Sequence, residues 1–193
     1  MPLVEHPDYP QILARLQRWL PNAVPFQGHM FRMINTKHSS NADILSGKGG
    51  LRAYGRWNAR GLFRCSYTSQ TAETALQEVL IAIRRQNLPD ERALPRTMVC
   101  LDLRAQRTLD LTDGDVRHRC QAGRDRIIGE RWWIENQKGR EAWTQAVGRA
   151  AAAAGFEAII TPSAVDTPHG VNAVVFTENL SNSSTWAVLT PIQ

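Results

Sequence analysis

Lysine is scarce in this chain. Of the 23 basic residues only Lys37, Lys48 and Lys138 are lysines, and the rest are arginines. Cysteine is scarcer in its way: Cys65, Cys100 and Cys120 are odd in number and far apart. That excludes a disulfide framework and a CxxC metal pair, and it fits a reducing compartment. No apolar run approaches the roughly 18 residues that span a bilayer. The opening stretch, "MPLVEHPDYPQILARLQRWL", has no basic segment followed by an apolar one, so no secretory signal is expected. These absences together lead us to expect a cytoplasmic protein. The five histidines show no HExxH or similar spacing, so no metal is expected. There is no internal repeat and no Gly/Ser-rich or Pro-rich linker, which predicts one domain over residues 1–193.

What is present is ordinary for a globular fold: 42% hydrophobic and 21% charged residues, in a chain long enough to bury one full core. A net charge of +5 favours anionic partners. Arginine offers a planar fork that grips phosphates, although the alanine-rich "RAAAAAGFEA" makes codon bias the larger part of the explanation. Acids interrupt the basic residues along "DVRHRCQAGRDRIIGERWW", a distribution unlike a nucleic-acid-binding arm.

Periodicity predicts a helix over 9–20, with Ile12, Leu13, Leu16 and Leu20 on one face and Pro21 as its stop. "GHMFRMIN" alternates as a strand. "KHSSNADILSGKGGLRAYG" reads as a long polar loop, and its "SGKGG" lacks the spacing of a phosphate loop. "GLFRCSYTS" reads as a strand, followed by a helix capped at Ser69 or Thr71 and running through Arg85. "RTMVCLDL" is a strand with "RTLDL" as a short partner. Helical pieces fill 112–131, and a strong helix over 137–155 ends at Gly155. "FEAIIT", "NAVVFT" and "STWAVLT" complete the strands. Strands and helices mix without regular alternation, which predicts an α+β fold with a mixed, curved sheet flanked by helices.

Within "GRWNARGLFRCSYTSQTAETALQEVL", Arg56, Tyr67 and Glu78 stand eleven residues apart. On the helix carrying Glu78, the residues Leu76, Leu80 and Ile83 form an apolar stripe. Glu78 falls opposite it, on a face with Ala75, Ala82 and Arg85. Pattern alone reads Glu78 as a solvated glutamate, Arg32 and Arg56 as surface arginines, and Tyr67 as a core aromatic. Ser163 reads as a loop serine after a strand.

Taken in order, "MFRMIN", "GRWN", "CSYTS" with "TALQEVL", and "IITPSAVDTPHGVNAVVFTENL" resemble the RES domain, a family named for an Arg, a Glu and a Ser and found among bacterial toxins of toxin–antitoxin pairs. The matching motifs lie between about 28 and 178. The resemblance implies a fold like that of ADP-ribosyltransferases and an enzyme that cleaves the nicotinamide–ribose bond of NAD. ADP-ribose would pass to water or to inorganic phosphate. It implies Glu78, Arg56 and Tyr67 as catalytic residues, and Arg32, Arg56, Tyr67, Ser163 and Asn172 as NAD-binding residues. NAD would be substrate, with no metal, and a DNA-binding antitoxin would be the protein partner. Neither a membrane nor direct nucleic-acid contact is expected. A carboxylate suits this chemistry because positive charge builds on the ribose carbon as the glycosidic bond breaks. Transfer to a protein side chain is the alternative, and the single glutamate of "LQEVL", against an ExE pair, tilts toward small acceptors. A basic nucleic-acid-binding module is the rival from another class. Its best local support is Trp132-Trp133, a pair read more readily as core.

Overall fold

The longest strand, β3 (Arg96–Asp110), organises the molecule. In the computed structural model, which describes residues 2–166 and 168–192, it pairs along one edge with β1 (Val24–Asn35), antiparallel from Val24↔Thr108 to Asn35↔Arg96. Its other edge is shared. The first part pairs antiparallel with β6 (Thr185–Ile192), and the end, Thr108–Asp110, pairs parallel with β4 (Ala158–Pro162). β4 continues antiparallel to β5 (Val171–Val175), β5 to β2 (Ser66–Ser69), and β2 returns to β1 at Phe31↔Ser69. The strand order β1-β2-β5-β4-β3 therefore closes on itself through the β1–β3 pairing. The expected α+β fold with one mixed sheet is observed, and the curvature goes as far as closure.

Alternation along the strands explains how so short a ring closes. Met30, Leu103, Ala105, Ala158, Ile160, Ala173 and Val175 form one buried cluster. They are alternate residues of β1, β3, β4 and β5 and so share the inward face. Alanine at three of these places leaves room for a narrow barrel. The outward neighbours Leu109, Ile159 and Val174 join a larger cluster with Ile12 and Leu16 of α1 (Tyr9–Trp19) and Trp143, Ala146, Val147 and Ala150 of α8 (Trp143–Ala154). α8 starts later than its sequence pattern suggests and stops as expected, with Gly155 in the left-handed region at φ 97°. Its first N–H groups, those of Trp143 and Thr144, are taken by the Glu130 carboxylate.

Several local expectations need correction. "RTMVCLDL" and "RTLDL" are not partners but one continuous strand, because the alternation runs unbroken from Val99 to Ala105. The segment read as a loop over 37–55 folds into two single-turn helices, α2 (Asn41–Leu45), capped by Ser40, and α3 (Lys48–Arg52). α4 (Ala72–Arg84) is capped by Thr71, whose hydroxyl accepts from Thr74 N–H. Ser69 instead stays in β2. Between β3 and α8 lie α5 (Gly114–Cys120) and α6 (Arg124–Gly129), the helical pieces expected over 112–131, and α7 (Trp132–Gln137), which the sequence reading did not anticipate.

Residues 55–58 form a turn pressed between α8 and β2. A Cβ on Gly148 of α8 would lie 1.8 Å from the Trp57 carbonyl oxygen. The opposing atom is backbone and cannot swing aside, so Gly148→Ala must separate α8 from the turn. Overpacking of this kind costs about 1–3 kcal/mol when side chains can yield, and here the loss should reach or exceed the upper end. Urea unfolding of Gly148→Ala beside the parent will measure it; an unchanged midpoint would show that the helix does not rest on Trp57.

Candidate active site

A cavity of about 480 Å³ opens between α4, the β1–β2–β5 surface and the 49–58 segment. The 55–58 turn is its most tightly built wall. Trp57 and Asn58 are buried. Asn58 Nδ2 donates to the Gly50 and Ala53 carbonyls, and its Oδ1 accepts from the Tyr67 hydroxyl at 2.8 Å. The same hydroxyl accepts from Trp57 N–H at 2.8 Å. Gln145 of α8, fully buried, reaches the Gly55 and Asn58 carbonyls through Nε2. A Cβ on Gly55 would come within 2.5 Å of both Asn58 Oδ1 and the Tyr67 hydroxyl. The "GRWN" sequence is thus a buried fixture with one residue aimed outward. That residue is Arg56. Its Nη1 donates to the carbonyls of Ile127 (2.7 Å) and Glu130 (3.1 Å), which orients the fork against the cavity. Burial chiefly, and then the neighbouring Arg85 charge, lower its pKa, while Glu78 opposes.

Glu78 faces the same cavity. Its Oε1 accepts from Ser163 Oγ at 2.9 Å and from Asn172 Nδ2. Among the described residues its Oε2 accepts no hydrogen bond, so one oxygen is anchored and the other is free. The anchors are themselves held. Asn172 Oδ1 accepts from Ser69 Oγ at 2.7 Å, and Ser163 Oγ accepts from the Val165 and Asp166 N–H groups. The Asp166 carboxylate meets Thr74 Oγ1 on α4, tying the 163–170 loop to the helix that carries Glu78.

The apolar stripe expected on α4 is covered only in part: Ile83 is buried but Leu76 is 39% exposed. On the face read as solvated, Ala75 is buried, and Glu78 is half-buried on the cavity side with Val79 and Ala82. A 3.6-residue period separates polar from apolar faces, but it does not distinguish bulk solvent from a polar cavity. The Trp132-Trp133 pair is likewise half-buried rather than core, with Trp132 on the cavity wall.

All six residues singled out beforehand meet here, and four of them, Arg32, Tyr67, Ser163 and Asn172, bond to other protein groups. Arg32 lines the cavity, but its Nη1 donates to the Ile44 carbonyl and Ser66 Oγ, each at 3.0 Å, and burial lowers its pKa. Tyr67 was expected in catalysis and NAD binding; its hydroxyl is engaged by Trp57 and Asn58. Ser163 was expected to bind NAD. It is fully buried and its proton goes to Glu78. Sequence reasoning missed Asn58 and Gln145 as the supports of the turn. The first lay inside the quoted motif; the second, an amide in an alanine-rich helix, gave no sign of a distant partner. No group of three or more His, Cys, Asp or Glu side chains suited to a metal ion occurs among the described residues, and none of their helices is long and apolar enough to cross a membrane.

Comparison with known proteins gives the family. The RES domain model matches residues 29–189, and the chain belongs to that family. It is 29% identical over 127 residues to the NAD(+) phosphorylase MbcT of Mycobacterium bovis and, to the same degree, to that of Mycobacterium tuberculosis. The match covers 65% of this chain, and the chain spans 63% of the length of these curated relatives. A crystal structure of the M. tuberculosis MbcT-MbcA toxin-antitoxin complex contains a chain with the same fold, at a TM-score of 0.71 and 22% identity over 94% of this chain and 90% of that one.

Two acidic protons in the site's foundations set a limit at alkaline pH. Burial pushes the Cys65 thiol, beside Arg32, from 9.0 up to about 12, and burial also raises the Tyr67 phenol well above 10.0. Below pH 9 both are protonated whether folded or not, and stability is unaffected. Above pH 9 the unfolded chain releases the thiol proton that the folded chain retains, so stability falls as pH climbs toward 12, by at most about 1.4 kcal/mol per pH unit for one group. Denaturant midpoints at pH 8 to 11 should fall more steeply in the parent than in Cys65→Ala. Equal slopes would mean that the thiol ionises freely inside the fold.

Proposed function

We propose that this chain cleaves the nicotinamide–ribose bond of NAD and passes ADP-ribose to inorganic phosphate, with water as the competing acceptor. The observation that carries the reading is the Glu78 carboxylate, fixed through one oxygen by Ser163 and Asn172, with the other oxygen left to a cavity that Arg32, Arg56, Arg85 and Arg96 also line. One carboxylate among four guanidiniums suits a ligand whose anionic diphosphate adjoins a sugar that must become cationic. The name of the relatives, NAD(+) phosphorylase, supports phosphate as the acceptor.

The chemistry balances without a metal. As the C1′–N bond of the nicotinamide ribose breaks, its electron pair neutralises the pyridinium, and nicotinamide leaves without needing a proton. The free oxygen of Glu78 stabilises the positive charge on the ribose carbon and can accept from a ribose hydroxyl. A phosphate oxygen then bonds to that carbon, giving ADP-ribose 1″-phosphate. Arg56, braced on two carbonyls, would grip the diphosphate through its remaining N–H groups. Ser163 and Asn172 hold the carboxylate; the Tyr67 hydroxyl holds the turn that presents Arg56.

The presence of MbcT in a toxin-antitoxin complex supports a matching biological role: this chain would be the toxin of such a pair, acting in the cytoplasm, with a DNA-binding antitoxin as partner.

Glu78→Ala should lower nicotinamide release from NAD by about 10²–10³ while the protein stays folded, at a stability cost of about 1–3 kcal/mol because the buried Ser163 hydroxyl loses its acceptor. Ser163→Ala should give a smaller loss, because Asn172 still donates to Oε1. Product identification with and without inorganic phosphate tests the acceptor: ADP-ribose 1″-phosphate is expected with it and ADP-ribose without. A folded Glu78→Ala protein that consumes NAD at the parent rate would remove Glu78 from the mechanism.

A further inference from the structure

Arg85 has so far been placed only on the cavity wall, and its setting is unusual for an arginine at a cavity rim. It caps the C-terminal end of α4, seven residues beyond Glu78. Two helical turns return it to the same face, roughly 10 Å along the axis, and its side chain leans back toward Glu78. Its guanidinium carbon lies 4.5 Å from the centroid of the Trp133 ring. Trp133 meets Trp132 edge to face at 6.0 Å and 90°, and Trp132 lines the cavity with Arg85. Stacking occupies one flat face of a guanidinium and leaves its N–H edges unused. Among the described residues, the Arg85 guanidinium donates no hydrogen bond and makes no ion pair.

The charge balance is incomplete as well. Arg85 is near enough to Arg56 for its charge to weaken the protonated form of Arg56, second only to burial. Both feel Glu78, the one carboxylate among the described residues that line the cavity, and Arg56 also feels Glu130 outside it. On the wall itself Arg32, Arg56, Arg85 and Arg96 stand against Glu78, leaving positive charge in excess. The negative end of the α4 dipole helps to keep Arg85 in place, but it does not use the N–H groups. An arrangement with spare donors and uncompensated positive charge, opening on a cavity, calls for an oxyanion.

We propose that Arg85, seated over the Trp133 ring, forms with Arg56 a two-guanidinium cradle for a phosphate group beside Glu78. This deepens the NAD-cleaving reading and takes its reaction centre from it. The phosphate belongs either to the diphosphate of NAD or to the inorganic acceptor, since both present the same oxyanion to the fork. Arg85 thereby contributes to substrate selection, and Trp133 acts on the ligand only by aligning Arg85.

Binding and turnover are tested separately. Titration calorimetry at low ionic strength, with inorganic pyrophosphate and inorganic phosphate as probes, compares the parent with Arg85→Ala, Arg85→Lys and Trp133→Phe. Arg85→Ala should weaken at least one probe about tenfold or more. Arg85→Lys should recover only part of the loss, because a point charge neither stacks flat nor donates as a fork. Trp133→Phe, which keeps a ring under the guanidinium, should fall between the parent and Arg85→Ala. Selective loss of pyrophosphate assigns the cradle to the diphosphate of NAD; selective loss of phosphate assigns it to the acceptor. Parent-like binding of both probes by Arg85→Ala, or no binding of either by the parent, would overturn the cradle. NAD cleavage by the parent is followed in parallel. Arg85-dependent probe binding in a protein that leaves NAD intact would keep the cradle and reject the reaction, whereas cleavage with parent-like probe binding in Arg85→Ala would do the reverse.

Discussion

Glu78 depends on two hydrogen bonds to one of its oxygens, and much of the fold is arranged to supply them. Ser163 stands at the end of β4 and Asn172 in β5, so the donors come from adjacent strands at the mouth of the 163–170 loop. The acceptor comes from a helix reached much earlier in the chain. Closure of the sheet brings them together: β2 pairs with β5 at Ser69↔Asn172 and meets β1 at Phe31↔Ser69, so α4, which follows β2, starts beside that loop. Thr74 and Asp166 complete the attachment. A carboxylate held in this way has little orientational freedom left to lose when a ligand binds, which is the advantage of a preorganised electrostatic group.

The opposite wall follows the same logic with other materials. Arg56 projects from a turn whose neighbours are committed to holding it: Trp57 in the core, Asn58 bonded to Gly50, Ala53 and Tyr67, Gln145 reaching across from α8. Buried polar groups stabilise a structure only when their bonds are satisfied, and here the satisfied amides select a single shape for the turn. Gly55 and Gly148 are needed for contact rather than flexibility, since neither leaves space for a methyl group. The rigidity of this wall contrasts with Arg85 opposite, which is kept by a ring and a helix end.

Charge placement unites the two walls. The arginine richness of the chain is in large part compositional, as ion pairs such as Arg84–Asp90 and Arg140–Glu135 on the surface illustrate. Exposed pairs of that kind contribute little. The arginines that matter make no ion pair among the described residues: Arg32 and Arg56 donate to carbonyls and a hydroxyl, which orient them without neutralising them. The cavity thus keeps its positive potential and a single, fixed negative group.

Much of the architecture was legible in the amino-acid order. Alternation located β1, β4, β5 and most of β3; the apolar rhythm of α1, the Thr71 cap and Gly155 marked helices, because these signals are local and depend on a few neighbouring residues. The family motifs brought Arg32, Arg56, Tyr67, Glu78, Ser163 and Asn172 to notice, and all six meet around one cavity. Their duties could not be read in the same way. Whether the Ser163 hydroxyl serves a ligand or a carboxylate depends on what lies 85 residues away. The Tyr67 hydroxyl is likewise claimed by a turn that its own strand says nothing about. Glu78, read as solvated, is half-buried at the cavity, because a periodicity cannot reveal that the polar side of a helix borders a cavity. The sequence by itself determined the elements and the chemical groups available. Only the closed sheet decided which of those groups bond to each other and which remain free, since hydrogen-bond partners and uncompensated charge are properties of neighbours in space.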